Sequence, residues 1–250
     1  MTDIRKTIST FLEQHNYHVL KLKAILFDMD GVLFDSMKNH TLAWYKVISD
    51  LGIPCSQEEF YQYEGATGKW TVNHIFQRAY GREATEEEIE EIYINKTLYF
   101  NELPPVEAMP GAKRLLCTVR ELGLIPVLVT GSGQRSLLER LDREYPRVFS
   151  KGHMVTAFDV RHGKPNPEPY LKALEKAGVL PWQALVVENA PLGVKAGVAA
   201  GIFTVAVNTG PIPQGQLLEA GANLIYPDMP EFALDGFPEL LDIIGATNPF

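Results

Sequence analysis

Cysteine is nearly absent from this 250-residue chain, which has only Cys55 and Cys117, far apart in sequence. Two thiols so placed rule out a disulfide-stapled scaffold and a cysteine-rich metal site, and a reducing cytoplasm is the expected setting. No apolar run approaches the length of a membrane span, so no membrane partner is expected. A secretory leader is not expected either, since Asp3, Arg5, Lys6 and Glu13 are scattered through the first residues. Basic residues are short: Lys and Arg total 23 against 31 Asp and Glu, a net charge of −8, which argues against general affinity for nucleic acid. His15, His18, His74, His153 and His162 show no metal-ligand spacing. Internal repeats and low-complexity stretches are also lacking. What remains is 46% hydrophobic and 22% charged, an ordinary globular composition, in a chain long enough for a large α/β core with a smaller domain.

The most informative stretch is the apolar run Ala24-Ile25-Leu26-Phe27, which empties into Asp28-Met29-Asp30-Gly31. The run reads as a parallel strand covered on both faces. While extended geometry persists, Asp28 and Asp30 leave it on the same side. Gly31 then lets the chain turn sharply away. Two anions held this close are tolerated best where a cation lies between them or one stays protonated.

Residues 4–14 place Ile4, Ile8, Phe11 and Leu12 at helical spacing, an amphipathic helix that is either a packing appendage or a dimer contact. After Gly31 the pattern turns helical: Leu42–Ile48 closed by Gly52, Val72–Ala79 closed by Gly81, and a stretch from Thr85 that includes Ile89, Ile92, Tyr93 and Leu98. Thr85 with Glu88 three residues on is a capping box. From Pro110, strands at Pro126–Thr130, Val155–Phe158, Ala184–Glu188, Thr204–Val207 and Ala222–Ile225 alternate with helices, which predicts a parallel sheet wrapped on both faces. The expected organisation is an N-terminal helical extension (1–20), an α/β Rossmann-like core (21–36 and 108–250) and an all-helical cap (37–107). Asp28, Thr130 and Glu188 all fall at strand ends, where such folds carry their sites.

Asp28-Met29-Asp30-Gly31-Val32 resembles the first motif of the haloacid dehalogenase superfamily, the Asp-nucleophile phosphotransferases. Val127-Leu128-Val129-Thr130-Gly131, Gly163-Lys164-Pro165-Asn166-Pro167 and Val186-Val187-Glu188-Asn189 resemble its second, third and fourth motifs, in the required order. The resemblance implies that Asp28 is the nucleophile, in an aspartyl-phosphate route, and Asp30 the general acid and base. It implies that Thr130, Gly131 and Ser132 bind the phosphoryl oxygens, and that Lys164 is their fixed cation. It also implies Mg²⁺ held by Asp28, the backbone carbonyl of Asp30, Glu188 and Asn189. Asn189 stands where close relatives carry Asp, and reads either as a neutral ligand or as a helix cap.

The helical insertion resembles the cap of the β-phosphoglucomutase-like subfamily, where Asp35-Ser36 and His40 occupy hinge and gating positions. His40 either orients Asp30 or is a cap or surface group. The mutases' cap-loop lysine and arginine are replaced here by Glu64 and Gly68, which removes the means of gripping a second phosphate. Lys69 could compensate from the next position. Glu-Gly-x-Thr-Gly, Val-Thr-Gly-Ser-Gly-Gln and Glu-Asn-Ala-Pro-Leu-Gly resemble the inorganic pyrophosphatase branch, where the cap-loop glutamate is functional. The favoured expectation is an Mg²⁺-dependent hydrolase of pyrophosphate or a small phosphate ester, with β-phosphoglucomutase as the alternative. Dehalogenation and non-catalytic binding are remote. The expected partner is a small phosphorylated molecule, and the chain should be a monomer or weak dimer.

Overall fold

The computed structural model describes residues 3–133 and 135–247. Its centre is a six-stranded, all-parallel sheet in the order β5-β4-β1-β6-β7-β8. The strands are β1 (Ala24–Phe27), β4 (Ile125–Val129), β5 (Met154–Val155), β6 (Ala184–Glu188), β7 (Phe203–Val207) and β8 (Leu224–Tyr226). The period-two alternation sorts each strand between two cores. Ile25, Phe27, Leu128, Leu185 and Val187 face one core, while Ala24, Leu26, Val127, Val129 and Val186 face the other. The four residues of β1 are wholly buried, as their unbroken apolar run predicts.

Helix α1 (Ile4–His15) lays Ile4, Ile8 and Phe11 into the first of these cores, with the Phe11 ring edge-on to Phe203 at 5.2 Å. Its apolar face is therefore spent on packing within the chain.

Between β1 and β4 lie α2 (Met37–Asp50), α3 (Gln57–Gln62), α4 (Gly68–Tyr80) and α5 (Glu86–Glu102). They enclose a core of their own built on Trp44, Val47, Ile48, Phe60, Val72, Ile75, Phe76, Ile89 and Ile92. The Thr85–Glu88 capping box is formed, and Gly81 ends α4 in the left-handed conformation. Helix α3 has no apolar stripe to announce it: Phe60 alone is buried, and Ser56 caps it by accepting from the Glu59 amide. Leu98, within the helical stretch read from the sequence, is 56% exposed.

The two passages between core and cap pair as a short antiparallel ribbon, β2 (Phe34–Asp35) with β3 (Glu107–Ala108). Glu107, assigned by sequence to the cap, thus belongs to this hinge. The strand expected over Val155–Phe158 stops at Val155. Thr156 turns the chain there, its amide and hydroxyl both donating to Asp159 Oδ2, at 2.9 and 2.8 Å. Phe158 consequently ends 76% exposed. Among the described residues no helix is long and apolar enough to cross a membrane.

Candidate active site

Strand order reverses at β1: the chain leaves it first toward β4 and β5, then returns to β6 on the other side. Such a switch point opens a crevice at the carboxyl ends of the strands. Asp28, Thr130 and Glu188 lie just beyond or at the ends of β1, β4 and β6, 2%, 3% and 0% exposed. Lys164, itself wholly buried, ties them together. Its ammonium donates to Asp28 Oδ1 at 2.5 Å, Glu188 Oε1 at 2.6 Å and the Val129 carbonyl at 3.1 Å. Burial alone would strip the charge from this lysine, but Asp28 and Glu188 reverse that and hold its pKa above the usual lysine value. Burial pushes Asp28 up to about 8 against the pull of Lys164, with Glu188 and Asp30 adding repulsion. A second cation near Asp28 would relieve that repulsion.

Asp30 sits among donors. Ser36 Oγ donates to its Oδ1 at 2.5 Å, and His40 Nε2 lies 3.0 Å from the same oxygen. On the far side of the ring, Lys96 Nζ is 2.7 Å from His40 Nδ1. When Lys96 is charged it donates, and the partners then assign His40 as acceptor at Nδ1 and donor from Nε2. Burial, then Lys96, depresses the His40 pKa. Burial pulls Lys96 down to about 7 against the attraction of Asp30. Burial works against the Asp30 carboxylate, yet His40, Ser36 and Lys96 together hold its pKa below the ordinary value. The donors around Asp30 thus favour its ionised form, whereas burial and the neighbouring anions work against that of Asp28.

The cap loop between α3 and α4 closes over this cluster. Glu64 is buried, 6% exposed, and its Oε1 accepts from Asn189 Nδ2 at 2.7 Å. Burial, with the nearby anions, raises the Glu64 pKa well above the usual carboxylate range, despite the Asn189 bond. The fit is close enough to demand glycines. A Cβ at Gly31, whose φ is +82°, would lie 2.0 Å from Asn189 Nδ2, and one at Gly131 would lie 2.4 Å from the Gly65 carbonyl. The closed site leaves a cavity of about 60 Å³ lined by Asp28, Asp30, His40, Glu64, Lys96 and Thr130, among others.

The expected site residues are largely brought together. Asn189 does not cap the helix Pro191–Ala199, whose N-cap is Ala190 with no side-chain bond. Its Oδ1 is buried and has no hydrogen-bond partner. An orphaned amide oxygen on a side chain bonded to Glu64 suits a hard cation, so the oxygen donors present fit Mg²⁺. Among the described residues no cluster of three or more His, Cys, Asp and Glu side chains is arranged to hold a metal, so the donor set needs that amide and a backbone carbonyl.

Glu188, expected as a metal ligand, makes four hydrogen bonds within the chain. Its four bonds come from Lys164, Tyr170 (2.7 Å), the Asn189 amide (3.0 Å) and the Ala190 amide (3.3 Å). They occupy both carboxylate oxygens, so Glu188 anchors Lys164 here. Lys69 is a correction to the expected site. It points out of the cavity and pairs with the exposed Glu86, since Thr67 caps α4 and turns the next residues onto its outer face. Gly131 and Ser132 line the cavity, and the Ser132 amide donates to Thr130 Oγ1 at 3.0 Å. Gln134, the last residue of the Val-Thr-Gly-Ser-Gly-Gln stretch, lies outside the described residues.

Lys96, Tyr93 and Tyr170 escaped the sequence reading. A signal for the first was present: Ile89, Ile92, Lys96 and Phe100 are the buried residues of α5 and recur at helical spacing, with a lysine in the apolar stripe.

A family model described as "haloacid dehalogenase-like hydrolase" matches residues 22–201. The chain belongs to that family. It is 30% identical over 222 residues to a phosphorylated carbohydrates phosphatase of Thermotoga maritima, covering 88% of this chain and 100% of that one. It is 28% identical over 222 residues to the β-phosphoglucomutase of Bacillus subtilis, covering 86% and 93%. Among solved structures, a Bacteroides vulgatus protein described provisionally as a β-phosphoglucomutase superposes with a TM-score of 0.93 at 51% identity, covering 96% of this chain and 98% of that one. This haloacid dehalogenase-like chain is thus of the phosphatase and phosphotransferase kind, with relatives that act on phosphorylated sugars.

Proposed function

We propose that the chain is an Mg²⁺-dependent phosphohydrolase that cleaves inorganic pyrophosphate or a comparably compact phosphate ester. The observation carrying this is Glu64: the cap presents a buried carboxylate, bonded to Asn189, where a mutase presents cations. A carboxyl group there offers a second phosphate no cation to grip it, whereas a substrate arriving with its own divalent cation gives that carboxyl a charge to ionise against. When bound between Asp28, the Asp30 carbonyl and Asn189 Oδ1, Mg²⁺ would neutralise charge between nucleophile and phosphoryl group.

An Asp28 oxygen attacks phosphorus, the bond to the leaving oxygen breaks, and Asp30 delivers that oxygen its proton. The incoming phosphoryl charge raises the Asp30 pKa from its depressed value, which lets it carry the proton. His40, fixed by Lys96, holds Asp30 in place throughout. Asp30 then takes a proton from the water that cleaves the aspartyl-phosphate. Thr130, Gly131, Ser132 and Lys164 hold the transferring oxygens. Asp30→Asn should cost ~10²–10⁴-fold in kcat, read by phosphate release, the usual range for losing general acid–base help.

The relatives favour a second reading, because their names concern sugar phosphates and β-phosphoglucomutase rather than pyrophosphate. The two readings separate kinetically. Under the first, kcat/KM for pyrophosphate with Mg²⁺ exceeds that for conversion of β-glucose 1-phosphate to glucose 6-phosphate, and Glu64→Ala lowers it by about 10–10²-fold, as removal of a site's supporting contacts does. Efficient isomerisation with negligible pyrophosphate cleavage would establish the mutase instead.

A further inference from the structure

Tyr93 touches both the departure from the mutase pattern and the core's phosphate loop. Its ring lies against Gly68: a Cβ at that position would fall 2.4 Å from Cδ2 and 2.5 Å from Cε2 of the ring. No side chain at position 68 can coexist with the ring where it stands. Its hydroxyl crosses from α5 to the core and accepts the Gly133 amide at 3.1 Å. The same hydroxyl is bonded to the Ser132 side chain. The ring also lines the cavity that holds Asp28, Asp30 and Glu64. At about 60 Å³ that cavity has room for on the order of four to six waters, and the Tyr93 ring bounds it beside Gly68.

We propose that Tyr93 is the specificity-determining residue of this site, its ring walling off the volume a sugar leaving group would need and its hydroxyl latching the closed cap to the Ser132–Gly133 loop. The inference deepens the compact-substrate reading and rests on it. Gly68 and Tyr93 form a matched pair. Glycine lets the ring settle where a mutase keeps a cation, so one substitution both removes the grip on a second phosphate and fills its space. The latch also gives the wall a direct link to chemistry. The loop that should hold the transferring oxygens takes its full set of hydrogen bonds only when the cap is down, which excludes water from the reacting centre. Lys96, one turn along the same face of α5, reaches His40, so closing α5 brings wall and acid-positioning group in together.

Three variants test it, assayed on pyrophosphate and on glucose 6-phosphate with Mg²⁺. Tyr93→Ala should raise the ratio of kcat/KM for glucose 6-phosphate to that for pyrophosphate by about tenfold or more, because the wall is gone. Tyr93→Phe keeps the wall and loses the latch, so the ratio should stay put while KM rises for both substrates. Gly68→Ala should impair activity in the parent but much less in the Tyr93→Ala background, a coupling that a ring merely buried elsewhere would not produce.

An equal loss on both substrates in Tyr93→Ala, with no coupling to Gly68→Ala, would overturn the proposal. The ratio change is read within each substrate pair. If the parent enzyme prefers glucose 6-phosphate outright, the pyrophosphate reading fails, while a tenfold rise in Tyr93→Ala would still stand for the wall.

Discussion

Asp28→Asn is expected to reduce phosphate release to background, a loss of about 10⁴-fold or more, the scale seen when a covalent nucleophile is removed. An amide attacks phosphorus poorly and brings no charge to a divalent cation. The substitution keeps the shape of the site. Lys164 retains Glu188 at 2.6 Å and the Val129 carbonyl at 3.1 Å, so its charge stays paired and the protein should stay folded. The loss is then chemical, and a second readout isolates it. Acid-quenched turnover mixtures should yield parent protein one phosphoryl group heavier, and no such species from the variant. Near-normal phosphate release by Asp28→Asn would make an aspartyl-phosphate route untenable.

Lys164→Ala is expected to be the most destabilising single change in the site. It leaves two carboxylates, Asp28 and Glu188, buried beside each other without their common cation. Breaking a buried ion pair from one side costs about 3–5 kcal/mol, because the remaining charge stays desolvated. Urea unfolding should show that loss as a lowered midpoint with little change in slope. Glu188→Gln in the same chain should recover part of it, since one of the stranded charges is gone. The recovered part measures the Lys164–Glu188 coupling. A loss below about 1 kcal/mol would mean that solvent or a cation already screens the pair.

Much of the site was legible because its chemistry sits where local patterns change. Asp28 and Asp30 follow an unbroken apolar strand, and Glu188 and Thr130 end two others, so period-two hydrophobicity located them. Their convergence followed from alternating strands and helices, which leave only one productive edge. Failures came where a side chain's direction depends on something distant. Lys69 looked able to reach substrate, but helix α4 turns it toward Glu86 on the surface. That Glu188 would gather Lys164, Tyr170 and two backbone amides on its oxygens was equally invisible along the chain.

The sequence by itself determined the strands that end in acids, the helical insertion after Gly31, the capping box at Thr85 and the replacement of two cap cations by Glu64 and Gly68. Those depend on neighbours within a few residues, where hydrogen-bonding geometry and hydrophobic period act directly. Only the tertiary structure decided that Glu64 bonds Asn189, 125 positions away, and that Asn189 keeps an unpartnered oxygen in the site. It alone also set Tyr93 against Gly68 and tied it to Gly133, 40 positions on. Each of these needs the cap to fold back over the core. The hinge ribbon and two separately packed cores fix that closure, and the spacing of residues along the chain does not encode it.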